Sequence, residues 1–142
     1  MVDKIIIGCD HAGYEMKLVL IDTLQSMNIS VKDMGAYSAE SIDYPDIAHT
    51  LAIEIENGNY ELGILLCGSG NGVNMVANKH QSVRSALCWN AEIASLARQH
   101  NNANVLAIPA RFIDNEEAIE IMKTFLTTDF EGGRHERRVN KI

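Results

Sequence analysis

A thiol opens the segment of this chain best equipped for chemistry, Cys67-Gly68-Ser69-Gly70-Asn71-Gly72, which lies between an apolar run and an amphipathic stretch starting near Val73. Alternate glycines at Gly68, Gly70 and Gly72 let successive backbone N–H groups converge on an anion. A helix N-terminus behind them adds partial positive charge. The loop is not a Walker sequence, which ends Gly-Lys-Ser/Thr, nor a dinucleotide fingerprint, whose third glycine would fall at Val73. A cysteine facing such amides is favoured as a thiolate. Cys67 is therefore either a base poised over an oxyanion cradle or a buried strand residue, and its place at the strand end favours the base.

Four further segments carry candidate groups. In Gly8-Cys9-Asp10-His11-Ala12-Gly13 a carboxylate and an imidazole stand where a strand turns into a helix, either as a functional pair or as a cap by Asp10 with His11 incidental. In Asp43-Tyr44-Pro45-Asp46 the proline holds Tyr44 extended and Asp46 is placed to cap a helix from Ile47. The Tyr44 hydroxyl is then a ligand contact or a packing group. Arg98-Gln99-His100-Asn101-Asn102-Ala103-Asn104 either finishes a helix, where the dipole favours a cation, or presents His100 and Asn101 to a ligand. Arg111 follows Pro109, and Arg134 and Arg138, four apart and so on one helical face, can grip a phosphate from two sides or stand solvated. His49 and His80 read as surface or packing residues, and Cys9 and Cys88 as core. Because the His and Cys positions lack the close paired spacing of a zinc site, no metal is expected.

These groups need elements to hold them. Residues 4–9, 30–34, 62–67, 83–89 and 105–108 are short runs rich in aliphatic and β-branched residues, and read as strands. Between them lie helical stripes: Tyr14, Leu18 and Ile21; Ile47, Leu51 and Ile55; residues 91–100; and Ala118, Met122 and Phe125. A short final helix follows Gly132-Gly133. Strict alternation of strand and helix predicts a single-domain three-layer α/β/α sandwich with a five-stranded parallel, Rossmann-like sheet over residues 1–142. In such sheets ligands sit beyond the carboxyl ends of the strands, where strand order reverses, so residues at strand ends matter most.

Composition narrows the partners. A chain of 142 residues, 46% hydrophobic, can bury one core but not two. No leader and no membrane-length apolar run is evident, and three unpaired cysteines suit a reducing compartment, so a cytoplasmic protein without membrane contact is expected. A net charge of −7 argues against nucleic acid. The tail from Glu131 runs against that balance, with Arg134, Arg137, Arg138 and Lys141 facing only Glu131 and Glu136, which suits a small anion.

Taken in order, G-C-D-H-A-G at 8–13, Y-P-D at 44–46, C-G-S-G-N-G at 67–72, A-N-K at 77–79, R-Q-H-N-N-A-N-V-L at 98–106 and G-G-R-H-x-x-R-V at 132–139 span almost the whole chain. The set resembles the type B ribose-5-phosphate isomerases, in the wider family that includes galactose-6-phosphate isomerase subunits. The resemblance implies a cofactor-free, metal-independent aldose–ketose isomerase acting on a phosphorylated sugar, built as a homodimer or dimer of dimers whose sites draw on two subunits. It implies Cys67 as base, the loop of Gly68, Ser69, Gly70, Asn71 and Gly72 as anion hole, and His100 as the group that opens the sugar ring. Asp10 and Tyr44 correspond to groups around the sugar, with Asp10 also a catalytic candidate that assists His100 in opening the ring, Asn101 to a substrate contact, and His11, Arg111, Arg134 and Arg138 to the phosphate set. Relatives that lack the cysteine carry a glutamate base at the position of Val73, so this chain falls in the cysteine branch. A hexose 6-phosphate substrate, and a non-catalytic nucleotide-binding module, are the alternatives. The His100-Asn101 pair weighs toward ribose.

Overall fold

Ile5, Ile6 and Ile7 are fully buried, and so are Ile64, Leu65 and Leu66. Strands buried on both faces require helices on both faces, and the computed structural model, which describes residues 1–142, supplies them. The strands are β1 (Lys4–Cys9), β2 (Ser30–Asp33), β3 (Gly63–Cys67), β4 (Ser85–Leu87) and β5 (Val105–Pro109). They form one parallel sheet in the order β2-β1-β3-β5-β4. Helices α1 (Tyr14–Ser26), α4 (Ala91–Asn101) and α5 (Asn115–Thr127) cover one face through Leu20, Ala94 and Phe125. Helices α2 (Tyr44–Glu56) and α3 (Asn71–Ala77) cover the other through Leu51, Ala52 and Val73. The last helix, α6 (Arg134–Val139), leans on α4. This is the expected three-layer sandwich.

From β1 the chain passes to one edge at β2, then crosses back over β1 to β3, so strand order reverses between β1 and β3. Their carboxyl ends lie side by side. Cys9 pairs in register with Leu66, and the Asp10 N–H donates to the Leu66 carbonyl at 3.1 Å. The crevice that a doubly wound sheet reserves for ligands therefore opens beside Asp10 and Cys67.

Some local expectations shift. The fourth strand is only Ser85–Leu87, at the sheet edge. The Asn78 side chain accepts from the Ser85 N–H at 2.8 Å and donates to its carbonyl at 2.9 Å, taking the place of a sixth strand. Helix α2 begins at Tyr44, so Tyr44 is helical rather than extended, and the N-cap is Asp43 rather than Asp46. Pro45 in the first turn explains this, since its missing N–H is no loss there. Helix α1 buries Met16, Lys17, Leu20 and Leu24; of the expected stripe, Tyr14 and Ile21 pack half-buried against this core, while Leu18 is 39% exposed. The cause is Lys17, a charge on the core face that disguises the apolar period. Its ammonium is fully buried, paired with Asp33 at 2.6 Å, bonded to the Ala36 carbonyl, and set between the rings of Tyr14 and Tyr37.

Candidate active site

Cys67 is the last residue of β3 and is 5% exposed. The chain then turns through Gly70, whose φ of +76° is a left-handed conformation that costs glycine little. A side chain there would also sit 2.4 Å from Leu87 Cδ1. This turn aims the Gly70 N–H at the Cys67 sulfur, to which it donates at 3.1 Å. Asn71 N–H donates to Ser69 Oγ at 3.2 Å, while the N–H groups of Ser69, Gly72 and Val73 find no acceptor within the chain. Unspent donors at the start of α3, next to a thiol, form a cradle for negative charge. The loop after β5 is stitched to it: Ala110 N–H bonds the Cys67 carbonyl at 2.9 Å and Arg111 N–H the Gly68 carbonyl at 3.0 Å. The Arg111 guanidinium lies against Gly68, where an added Cβ would come within 3.2 Å of Nη1.

Cys9 and Cys88 lie in the core. Burial pushes the Cys9 thiol up to about 11 and that of Cys88 to about 12, so both are neutral core residues, as expected.

Around the thiol, Asp10 is buried and its Oδ1 accepts from Ala12 N–H at 2.9 Å and Gly13 N–H at 3.1 Å. It is thus a cap, with Oδ2 free of partners in the chain. His11 Nδ1 receives the Ile42 N–H at 3.4 Å. The Tyr44 ring covers the first turn of α3 so closely that a Cβ on Gly72 would lie 2.5 Å from it, so the close approach relies on glycine there and places the Tyr44 hydroxyl on the loop. Asp10, His11, Tyr44, Ser69, Asn71 and Arg111 thus gather with Cys67 at one end of the sheet.

His100, Asn101, Arg134 and Arg138 do not. Helix α4 runs back from β4 and ends just before β5 begins, so His100 and Asn101 lie at the amino end of the strands. Cys67 pairs with Pro109 at the far end of β5. The length of β5 alone separates the two groups by ~13 Å at about 3.3 Å per residue. The α4 end is pinned by Arg84, whose Nε donates to the carbonyls of Asn101 and Asn102 at 3.1 and 3.0 Å. Arg98 donates to the Thr128 carbonyl at 3.2 Å and lies over Phe125, and burial lowers its proton affinity. A cavity of about 770 Å³ opens at this end, lined by Glu61, Arg84, Arg98, Asn104 and Asp129 among others. Its arginines are engaged by backbone carbonyls, and no cysteine or histidine faces it.

Two features escaped the sequence. His135 is buried in α6 and stacks on His100, ring centres 4.2 Å apart and planes within 12°. Its one sequence signal is that His135 and Val139 form the only uncharged face of that helix. Glu131 joins them, its Oε2 3.5 Å from His135 Nε2. One donor atom from each of His100, Glu131 and His135 falls within 4.8 Å of the others, the spacing of a metal site. Ring lone pairs lie in the ring plane, however, so in parallel rings they run side by side rather than converge on an ion. His49 and His80, expected as surface or packing residues, form a chain: His49 Nδ1 to His80 Nε2 at 2.7 Å, and His80 Nδ1 to Glu56 at 2.8 Å, which lowers the Glu56 pKa.

A parallel sheet with a thiol set in a loop of free N–H groups at its switch point defines a class: α/β proteins equipped for proton transfer beside a small anion. The chain belongs to the ribose/galactose isomerase family, whose model matches residues 5–142. It is 40% identical over 139 residues to ribose-5-phosphate isomerase B of Escherichia coli, covering 98% of this chain and 93% of that one. Its fold matches a ribose 5-phosphate isomerase from Thermotoga maritima with a TM-score of 0.97 and 47% identity, covering 99% and 97% of the two chains. Ribose-5-phosphate isomerase B of Mycoplasma genitalium, solved with bound ribulose-5-phosphate, matches with a TM-score of 0.92 and 44% identity over 97% of this chain and 92% of that one.

Proposed function

We propose that this chain interconverts ribose 5-phosphate and ribulose 5-phosphate through an enediolate, as a cytoplasmic enzyme of pentose phosphate metabolism. The observation that carries the reading is the Cys67 sulfur held by the Gly70 N–H at 3.1 Å inside the cradle. As thiolate, Cys67 takes the proton from C2 and returns it to C1. The free N–H groups of Ser69, Gly72 and Val73 stabilise the charge that develops on oxygen, each worth about 3 kcal/mol in the transition state. Ser69 carries a proton between the two oxygens. Asp10 Oδ2 and the Tyr44 hydroxyl bind the sugar, with the Gly68 and Asn71 stretch of loop beneath it. His11 and Arg111 face the phosphate. No step needs a metal or a cofactor.

The remaining groups come from a second copy. His100 and Asn101 stand at the far end of the sheet from Cys67 in their own chain, and Arg134 and Arg138 belong to α6, the helix that leans on α4. A homodimer, or a dimer of dimers, that sets the α4–α6 corner of one subunit over the crevice of the other completes the site. His100 then moves the proton that opens the furanose ring, Asn101 contacts the sugar, and Arg134 and Arg138 hold the phosphate. Binding energy from the unreacting phosphate thereby positions the reacting carbons.

The test is isomerisation of ribose 5-phosphate by the purified protein with a chelator present, alongside allose 6-phosphate and galactose 6-phosphate. Pentose turnover that survives chelation is expected. Turnover of a hexose phosphate alone would move the substrate, and ATP binding with no isomerisation would overturn the reading.

A further inference from the structure

We propose that His135 is a positioning residue for His100: its ring lies flat against the His100 imidazole and fixes the plane in which that imidazole delivers and accepts the ring-opening proton. The inference rests on the isomerase reading above.

In α6 the residues Arg134, Glu136, Arg137 and Arg138 are exposed, and His135 alone is buried, at 7%. As a mere anchor for a six-residue helix, an imidazole is a poor choice, because its polar nitrogens lose water on burial. No strong hydrogen bond repays that loss, since 3.5 Å to Glu131 is too long for one. What the ring does make is the parallel stack on His100, at 4.2 Å and 12°. His100 needs it: no hydrogen bond within the chain holds its side chain, which projects from the last turn of α4. The two rings ride on elements tied together, since the Glu131 N–H donates to the Gln99 carbonyl at 3.1 Å. Burial, followed by the neighbouring charges of His100 and Arg134, lowers the proton affinity of His135.

A proton relay misplaced by 1 Å can lose about a hundredfold in rate, so the stack is expected to show in turnover. The two reaction directions separate its role from packing. Ribose 5-phosphate is chiefly a furanose that must be opened, whereas ribulose 5-phosphate has its C5 oxygen blocked by phosphate and has no ring to open.

The experiment compares His135→Phe with His135→Leu in the full protein, after wild-type rates in both directions have tested the isomerase reading itself. Both variants fill the site and anchor α6, but only phenylalanine presents a flat ring. Expected is a forward kcat within about threefold of wild type for Phe and about tenfold to a hundredfold lower for Leu. The reverse direction can release its product as the open-chain aldose, which closes in solution without the enzyme, so the reverse kcat read as that release, and both KM values, should stay near wild type in each. Equal forward rates in the two variants would overturn the proposal. So would a Leu defect that strikes both directions alike with raised KM, because that is the signature of a displaced α6 and its arginines.

Discussion

The two ends of the sheet are built on opposite principles. At the carboxyl end the working parts are set by backbone: N–H groups of a glycine turn, and a thiol and a carboxylate that backbone N–H groups hold in place at the strand ends. At the amino end they are side chains: His100 stacked on His135, with Arg134 and Arg138 exposed on a short helix. The first end is preorganised to receive charge that appears in the transition state. The second is suited to recognising charge that the substrate always carries, at the cost of ordering flexible arginines. Each lacks what the other has, and one chain cannot bring them together. In the proposed dimer the division makes association part of catalysis.

The largest effect should come from the backbone-built end. Cys67→Ala is expected to lower kcat by at least about a thousandfold while calorimetry still detects sugar-phosphate binding. Near-normal turnover would remove the base from the comparison altogether.

Next comes the side-chain end and its place in a dimer. His100→Ala should lower turnover of ribose 5-phosphate by about a hundredfold. Mixing that variant with Cys67→Ala, after partial unfolding and reassembly, should restore about a quarter of wild-type activity, since half of randomly paired dimers carry one intact site of two. No recovery on mixing would break the two-subunit arrangement.

Smaller again is Gly72→Ala, which forces a methyl into the Tyr44 ring, 2.5 Å away, and should lower kcat/KM about tenfold without unfolding the protein. Unchanged kinetics would show that Tyr44 can leave the loop freely.

The smallest effect concerns the two core thiols. Cys9 has its folded pKa raised from 9.0 to about 11 by burial, so the unfolded chain releases that proton first as pH rises. Cys88, raised from 9.0 to about 12, acts in the same direction. Their contribution to stability is complete below pH 9 and is lost as pH climbs toward the folded values. Urea midpoints should therefore fall modestly between pH 9 and 11, and less so in a Cys88→Ala background. A midpoint independent of pH over that range would contradict the burial of these thiols.

The sheet was legible because fully buried parallel strands leave continuous apolar runs, as at Ile5-Ile6-Ile7 and Ile64-Leu65-Leu66. The cradle was legible because closely spaced glycines in a loop that opens a helix have few other uses. Helix α1 was misread because Lys17, buried by pairing with Asp33, breaks the apolar period that sequence reading depends on. Tyr44 was misread because a proline in a first helical turn looks the same in sequence as one that holds its neighbour extended. His135 passed unseen among charged neighbours, since stacking has no sequence spacing of its own.

By itself, then, the sequence determined the layers, the strand-end loop and the chemical types available to it, because periodicity and glycine placement are local properties of a chain. Only the tertiary structure decided which of those groups meet. The return of α4 along the sheet carries His100 away from Cys67, and the fold of α6 onto α4 brings His135 to it. Distances between residues far apart in sequence depend on how helices pack over the strands, and no local pattern encodes them.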